Sequence, residues 1–327
     1  MAMSAPFVTL AEIEAARDRT AGHVRRSFLD RSPTLSRRLG HPVHLKLEHQ
    51  QITGSFKLRG ATNAVLSLDA EARAAGLVAV STGNHGRALA HAARAAGCRA
   101  LICMSALVPQ AKIDGIRAAG GETRIVGRSQ DEAQTEVDRL IAHDGMTMVP
   151  PFDHPAVIAG QGTLGLEILE DAPEVAAVLV PVSGGGLVSG VAAAIKARRP
   201  EVRIIGITME RGAAMHASLA AGRPVEVEEQ ATLADSLGGG IGLDNRLTFA
   251  MTRALVDDMI LLTEDEIAAG IRHCYREEGQ VVEGAGAVGV AAILAGRVRV
   301  QGPVVAILSG GNIDRNDHRR LVCEGGP

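Results

Sequence analysis

The chain has 327 residues, with 34 Lys plus Arg against 37 Asp plus Glu, a net charge of −3 and a pI near 6.4. That balance excludes the basic footprint of a nucleic-acid or anionic-membrane binder. Hydrophobic residues at 46% and charged residues at 22% mark a globular chain of roughly two domains. Thirty-eight glycines stand against no Trp, one Tyr and five Phe, too few aromatics for a base-stacking platform.

At the N-terminus, Thr9-Leu-Ala-Glu12 forms a capping box that predicts a helix, and no basic region followed by an apolar one precedes it. No run of ~18 apolar residues occurs, so no membrane span is expected and a cytoplasmic protein is. Cys98, Cys103, Cys274 and Cys323 form no CxxC pair and have no His at a zinc spacing; they read as free thiols.

From Leu77 onward, short apolar runs alternate with helical patterns. Strands are predicted at 77–80, 99–104, 123–126, 147–149, 177–182, 203–208, 259–262 and 304–308, with helices at 86–96, 109–119 and 130–143 among those between them. Continuous apolar runs at 178–182 and 304–308 suit strands covered on both faces. The alternation predicts an α/β protein with two doubly wound parallel sheets, whose ligands bind at the carboxyl ends of the strands. The paired prolines in Met148-Val-Pro-Pro-Phe152 break the pattern.

Three predicted strands run into glycine loops. Ser183-Gly-Gly-Gly-Leu-Val-Ser-Gly190 precedes an Ala-rich helix, so converging N–H groups and a helix N-terminus make an anion cradle suited to phosphate. Without a ligand it is merely a tight turn. Glu210 lies 20 residues after Gly190, which invites a nicotinamide-binding reading, but Ser189 stands where that fingerprint requires Gly or Ala. Ser81-Thr-Gly-Asn-His-Gly86 offers hydroxyls, an amide and a helix N-terminus, suited to a carboxylate or a ring oxygen. Ser309-Gly-Gly-Asn-Ile-Asp314 places a hydroxyl at the end of the last strand. Lys57, in Gly54-Ser-Phe-Lys-Leu-Arg-Gly60, would ordinarily be a solvated side chain; in a confined site it can form a Schiff base. Lysine, phosphate cradle, amide loop and terminal serine together describe a pyridoxal phosphate site.

These segments, with Thr232-Leu-Ala-Asp-Ser236, resemble fold-type II pyridoxal-phosphate enzymes of the threonine dehydratase and serine racemase group, collinearly over nearly the whole chain. Overall the sequence is most similar to the hydroxyectoine-utilisation dehydratase branch. The resemblance implies a tryptophan synthase β-like fold, with residues 1–70 and 151–327 as a large cofactor-binding domain and 71–150 as a small mobile one. It implies that Lys57 binds the cofactor covalently and then acts as base. Phe56, Asn84, Gly184, Gly185, Gly186, Leu187, Glu283 and Ser309 would surround the cofactor, with Asn84 on the ring oxygen and Ser309 at the ring nitrogen. Ser81, Thr82, Gly83 and His85 would bind the substrate carboxylate.

A serine at the ring nitrogen, unlike an aspartate, does not enforce a protonated ring. This favours prompt loss of a β-hydroxyl, giving a 2-oxo acid and ammonia. The expected substrate is a small β-hydroxy amino acid, with a hydroxyectoine-derived one among the candidates, and the expected assembly is a homodimer. Thr82 aligns with the second acid/base of serine racemases, so racemisation is the alternative; a nicotinamide oxidoreductase or a non-catalytic sensor would leave Lys57 unexplained. Some relatives hold Mg²⁺ or Ca²⁺, and Glu210, the Ala214 carbonyl and His216 align with those ligands, although imidazole suits hard cations poorly. Arg87 stands where relatives often carry Gln. The end at Pro327 leaves no expected room for an appended regulatory domain.

Overall fold

A computed structural model describes residues 7–81 and 83–323, the side chains of residues 130 and 131 excepted. The strands are β1 (Leu29–Ser32), β2 (Val43–Lys46), β3 (Leu77–Val80), β4 (Ala100–Met104), β5 (Glu122–Ile125), β6 (Thr147–Met148), β7 (Ala177–Pro181), β8 (Arg203–Met209), β9 (Asp258–Leu262) and β10 (Val304–Ile307). One sheet has the order β1-β2-β10-β7-β8-β9 and the other β5-β4-β3-β6. Every pairing is parallel except β1 with β2. The α/β architecture of two parallel sheets is therefore as expected, with an antiparallel edge that the sequence did not reveal. Leu29-Asp-Arg-Ser32 is a short polar edge strand and lacks the apolar alternation that marks a half-buried one.

The period of two along β7 and β10 builds a core on each face of the larger sheet. Ala177, Leu179, Val304 and Ala306 join the cluster on one side, while Val178, Val180, Val305 and Ile307 join the other. All are buried, and together they explain why these two strands read as unbroken apolar runs. On the second face, helices Pro155–Asp171 and Gly186–Arg198 pack tightly because a side chain at Gly190 would collide with the Ile158 carbonyl oxygen.

Helix Lys57–Ser67 lies between the sheets, packed against Asn84–Ala95 on one side and Pro155–Asp171 on the other. Its Leu58, Ala61, Ala64 and Val65 are buried with Leu77, Ala79, Ile102 and Met104 of the smaller sheet. Lys57 is thereby fixed at the junction. Cys98, Cys103, Cys274 and Cys323 are free. Among the described residues, no helix is long and apolar enough to cross a membrane.

Candidate active site

The loops after β3, β7 and β10 converge on one cavity of about 250 Å³. Lys57 enters it from the first residue of its helix. The preceding loop is held to the end of β10, because Phe56 N–H donates to the Ser309 carbonyl oxygen at 3.0 Å and Ser55 bridges Gly310. Lys57 Nζ donates to the Pro151 carbonyl oxygen at 2.7 Å and lies 5.4 Å from the centre of the Phe56 ring. It forms no salt bridge among the described residues, and burial pushes its pKa down to about 8. A lysine so placed reaches the nucleophilic amine form near neutral pH.

Opposite it, the loop after β7 turns through Gly185 at φ +87°, where a Cβ would lie 2.8 Å from Met215 Cε and 2.9 Å from Thr248 Cβ. Side chains at Gly184 and Gly186 would meet Phe152. No side chain caps helix Gly186–Arg198, and its first backbone bond runs from Ser189 N–H to the Gly185 carbonyl oxygen at 2.9 Å. The N–H groups from Gly184 through Val188 have no acceptor among the described residues, although all five residues are buried. Consecutive orphan donors at a positive helix end fit a phosphate.

The third wall is the start of helix Asn84–Ala95. Ser81 Oγ accepts from Gly83 N–H at 3.3 Å and from Gly86 N–H at 2.9 Å, so this hydroxyl caps the helix. The N–H groups of Asn84 and His85 have no intrahelical acceptor and remain available for a carboxylate. Buried His85 is hydrogen-bonded through Nε2 to the Val149 carbonyl oxygen at 2.8 Å; burial, then the charge of Lys57, pushes its pKa down to about 3. The imidazole is therefore neutral, donates through Nε2, and can meet a substrate only through its backbone or Nδ1.

Asn84 Nδ2 donates to Glu283 Oε1 at 2.7 Å. Burial, with a further push from Asp235, raises Glu283 to about 7 against the Asn84 hydrogen bond. Buried Ser309 donates from Oγ to the Ala285 carbonyl oxygen over a long 3.4 Å, which leaves the hydroxyl weakly committed.

Phe56, Lys57, Ser81, Gly83, Asn84, His85, Gly184, Gly185, Gly186, Leu187, Glu283 and Ser309 thus line one cavity. Thr82 lies outside the described residues. Glu210, exposed after β8, and His216, half-buried on helix Ala214–Ala221, lie away from it. Among the described residues, no group of three or more His, Cys, Asp or Glu side chains could hold a metal ion. Sequence reasoning missed Pro151, Phe152 and Lys112, of which only the paired prolines left a signal.

A family model for pyridoxal-phosphate dependent enzymes matches residues 20–310. The chain belongs to that family. It is 60% identical over 316 residues, 96% of this chain and 95% of the other, to a Sinorhizobium fredii protein with a provisional threonine dehydratase name. It is 44% identical to the L-threonine ammonia-lyase of Thermotoga maritima, covering 98% of this chain and 79% of the relative. Maize serine racemase superposes with a TM-score of 0.91 at 33% identity, covering 95% and 96% of the two chains. The family's cofactor, pyridoxal phosphate, agrees with the orphan donors after β7 and the isolated Lys57. The protein is a pyridoxal-phosphate-dependent lyase of the threonine dehydratase type. Membership of the family replaces the nicotinamide and non-catalytic readings of the glycine loops.

Proposed function

We propose that the protein removes water from a small β-hydroxy amino acid and releases a 2-oxo acid and ammonia. The observation that carries this reading is Lys57, which among the described residues has no carboxylate partner and faces the anion cradle of orphan N–H groups across one cavity. The N–H groups of Gly184, Gly185, Gly186 and Leu187 hold the phosphate. Bound pyridoxal phosphate supplies the electron sink for the α-carbanion. Lys57, once its amine is free, takes the α-proton; the electron pair left on Cα forms the new double bond, and the β-hydroxyl departs with a proton as water. Hydrolysis of the resulting enamine consumes one water and yields the keto acid and ammonia. Asn84 donates to the ring oxygen, Ser309 meets the ring nitrogen, and Ser81, Gly83 and His85, with Thr82, enclose the substrate carboxylate. Phe56 and Glu283 flank the cofactor.

The finer reading, a hydroxyectoine-derived substrate, rests on overall sequence likeness. Likeness to maize serine racemase supports racemisation as a second reading, but at lower identity than the dehydratase relatives. In the proposal, residues 1–70 and 151–327 hold the cofactor, residues 71–150 close over the substrate in a cytoplasmic homodimer, and the strands divide between the two sheets at those limits.

The purified protein is expected to be yellow, and Lys57→Ala to lose both the visible band and all turnover. A colourless wild type after incubation with the cofactor overturns the assignment of Lys57. Keto-acid release measured across serine, threonine, hydroxyaspartate and the hydroxyectoine-derived amino acid identifies the substrate. Inverted substrate in excess of keto acid shows a racemase instead.

A further inference from the structure

One chain of hydrogen bonds links the rim of the cavity to its interior. Arg87 Nη1 donates to Asn312 Oδ1 at 3.0 Å. Asn312 Nδ2 donates both to the Thr53 carbonyl oxygen at 2.9 Å and to Asn84 Oδ1 at 2.6 Å. Asn84 Nδ2 then donates to Glu283 Oε1 at 2.7 Å. Three glycines make room for it: side chains at Gly54, Gly115 and Gly310 would run into Asn312, the Arg87 guanidinium and Glu283, respectively.

The chain has a direction. A guanidinium can only donate and a backbone carbonyl oxygen can only accept, so Arg87 and Thr53 together allow Asn312 one amide orientation. Both hydrogens of Asn312 Nδ2 are then committed, and Asn84 must receive one of them on Oδ1. Its NH₂ group is thereby turned inward, where Glu283 takes one hydrogen and the second is left for the cavity. Glu283 could not impose this orientation by itself, because a carboxyl group with a pKa of about 7 both donates and accepts near neutral pH.

We infer that Arg87 and Asn312 are positioning residues that fix the amide of Asn84, so that a donor rather than an acceptor faces the cofactor's ring oxygen. The inference rests on the proposed place of Asn84 beside that oxygen. A donor there stabilises the ionised oxygen, and a reversed amide repels it.

The test reads the ratio of visible to near-ultraviolet absorbance at fixed pH in cofactor-saturated protein, which reports the ionised against the neutral ring oxygen. Asn312→Asp keeps the shape of the side chain but can only accept, so Asn84 must turn its NH₂ outward; the ratio is expected to fall about tenfold, the worth of one hydrogen bond to an ionised oxygen. Asn312→Ala lowers it less. Arg87→Lys, which still donates to Asn312, leaves it near the wild-type value. Arg87→Met changes the local charge by the same unit as Asn312→Asp while Thr53 still orients Asn312, so its fall is smaller. An equal fall in Arg87→Met assigns the effect to charge and overturns the inference. An unchanged ratio in Asn312→Asp, with a fall in Asn84→Ala, overturns the inference alone; an unchanged ratio in Asn84→Ala overturns the placement of Asn84 and the inference with it.

Discussion

Two groups of buried charge lie on either side of helix Lys57–Ser67, and burial has opposite outcomes in them. Behind the helix, Arg59 is 1% exposed and makes two bonds to Glu48, at 2.8 and 2.7 Å, and two to Glu167, at 2.7 and 3.0 Å. Fully buried Lys46 adds a contact to Glu167 at 2.9 Å and one to Asp171 at 3.0 Å. Burial is the largest single influence on Glu48 and would raise it, but the charge and hydrogen bonds of Arg59, with help from Ser27 and Lys46, together outweigh it and the net shift is downward; Arg59 is held above its ordinary value in return. In front of the helix, Lys57 and Glu283 form no ion pair among the described residues, and burial drives Lys57 down to about 8 and Glu283 up to about 7. Lys57 and Arg59 are two residues apart on one helix. Pairing, not depth, decides whether a buried charge stabilises the fold or becomes reactive.

The largest effect is expected behind the helix. Arg59→Leu leaves Glu48 buried without its bonded cation, and Glu167 with only the Lys46 contact, and should remove about 3–5 kcal/mol of stability, read from the urea midpoint. A loss below 1 kcal/mol would show that the paired cluster is not a foundation. In front, Glu283 sets a pH dependence of smaller size in the cofactor-free protein. Its folded pKa of about 7 exceeds the ordinary 4.5, so at this group the folded state holds the proton more tightly between those values, and its contribution to stability falls as pH rises through them. Glu283→Gln should remove that contribution, a gain over wild type of about 3 kcal/mol well above pH 7; a pH profile unchanged in the variant would assign the dependence to another group. The smallest effect is at the rim, where Lys112 Nζ meets Asp235 Oδ2 at 2.5 Å with side chains 25% and 53% exposed. Lys112→Met should change the urea midpoint by less than about 1 kcal/mol. A larger loss would place this pair with the buried cluster.

The site was most legible where function depends on the backbone. A left-handed turn at Gly185 and the close approach of Phe152 to Gly184 require glycine, so the residue types announce the cradle. Central strands such as Val304–Ile307 were legible because burial on both faces demands an apolar run. Edge strand β1 was not, since Leu29-Asp-Arg-Ser32 is selected for a wet surface, and its inner neighbour β2, the four-residue Val43-His-Leu-Lys46, carries a His and a Lys that break the apolar run. Equally hidden were partners that use a carbonyl: Pro151 for Lys57, Val149 for His85 and Thr53 for Asn312. Any residue supplies that oxygen, so no side chain marks it. The polarity of the Arg87–Asn312–Asn84 chain emerges only once residues more than 200 positions apart meet.

Pro151 and Phe152 are neighbours in the chain. The carbonyl of the first receives Lys57 Nζ, and the ring of the second lies against Gly184. A single peptide link thus sets the spacing between amine and anion cradle, as a gauge block sets a gap. A ligand that engages both ends must match this span, so selection by length is built into the main chain ahead of any contact with the substrate's own side chain.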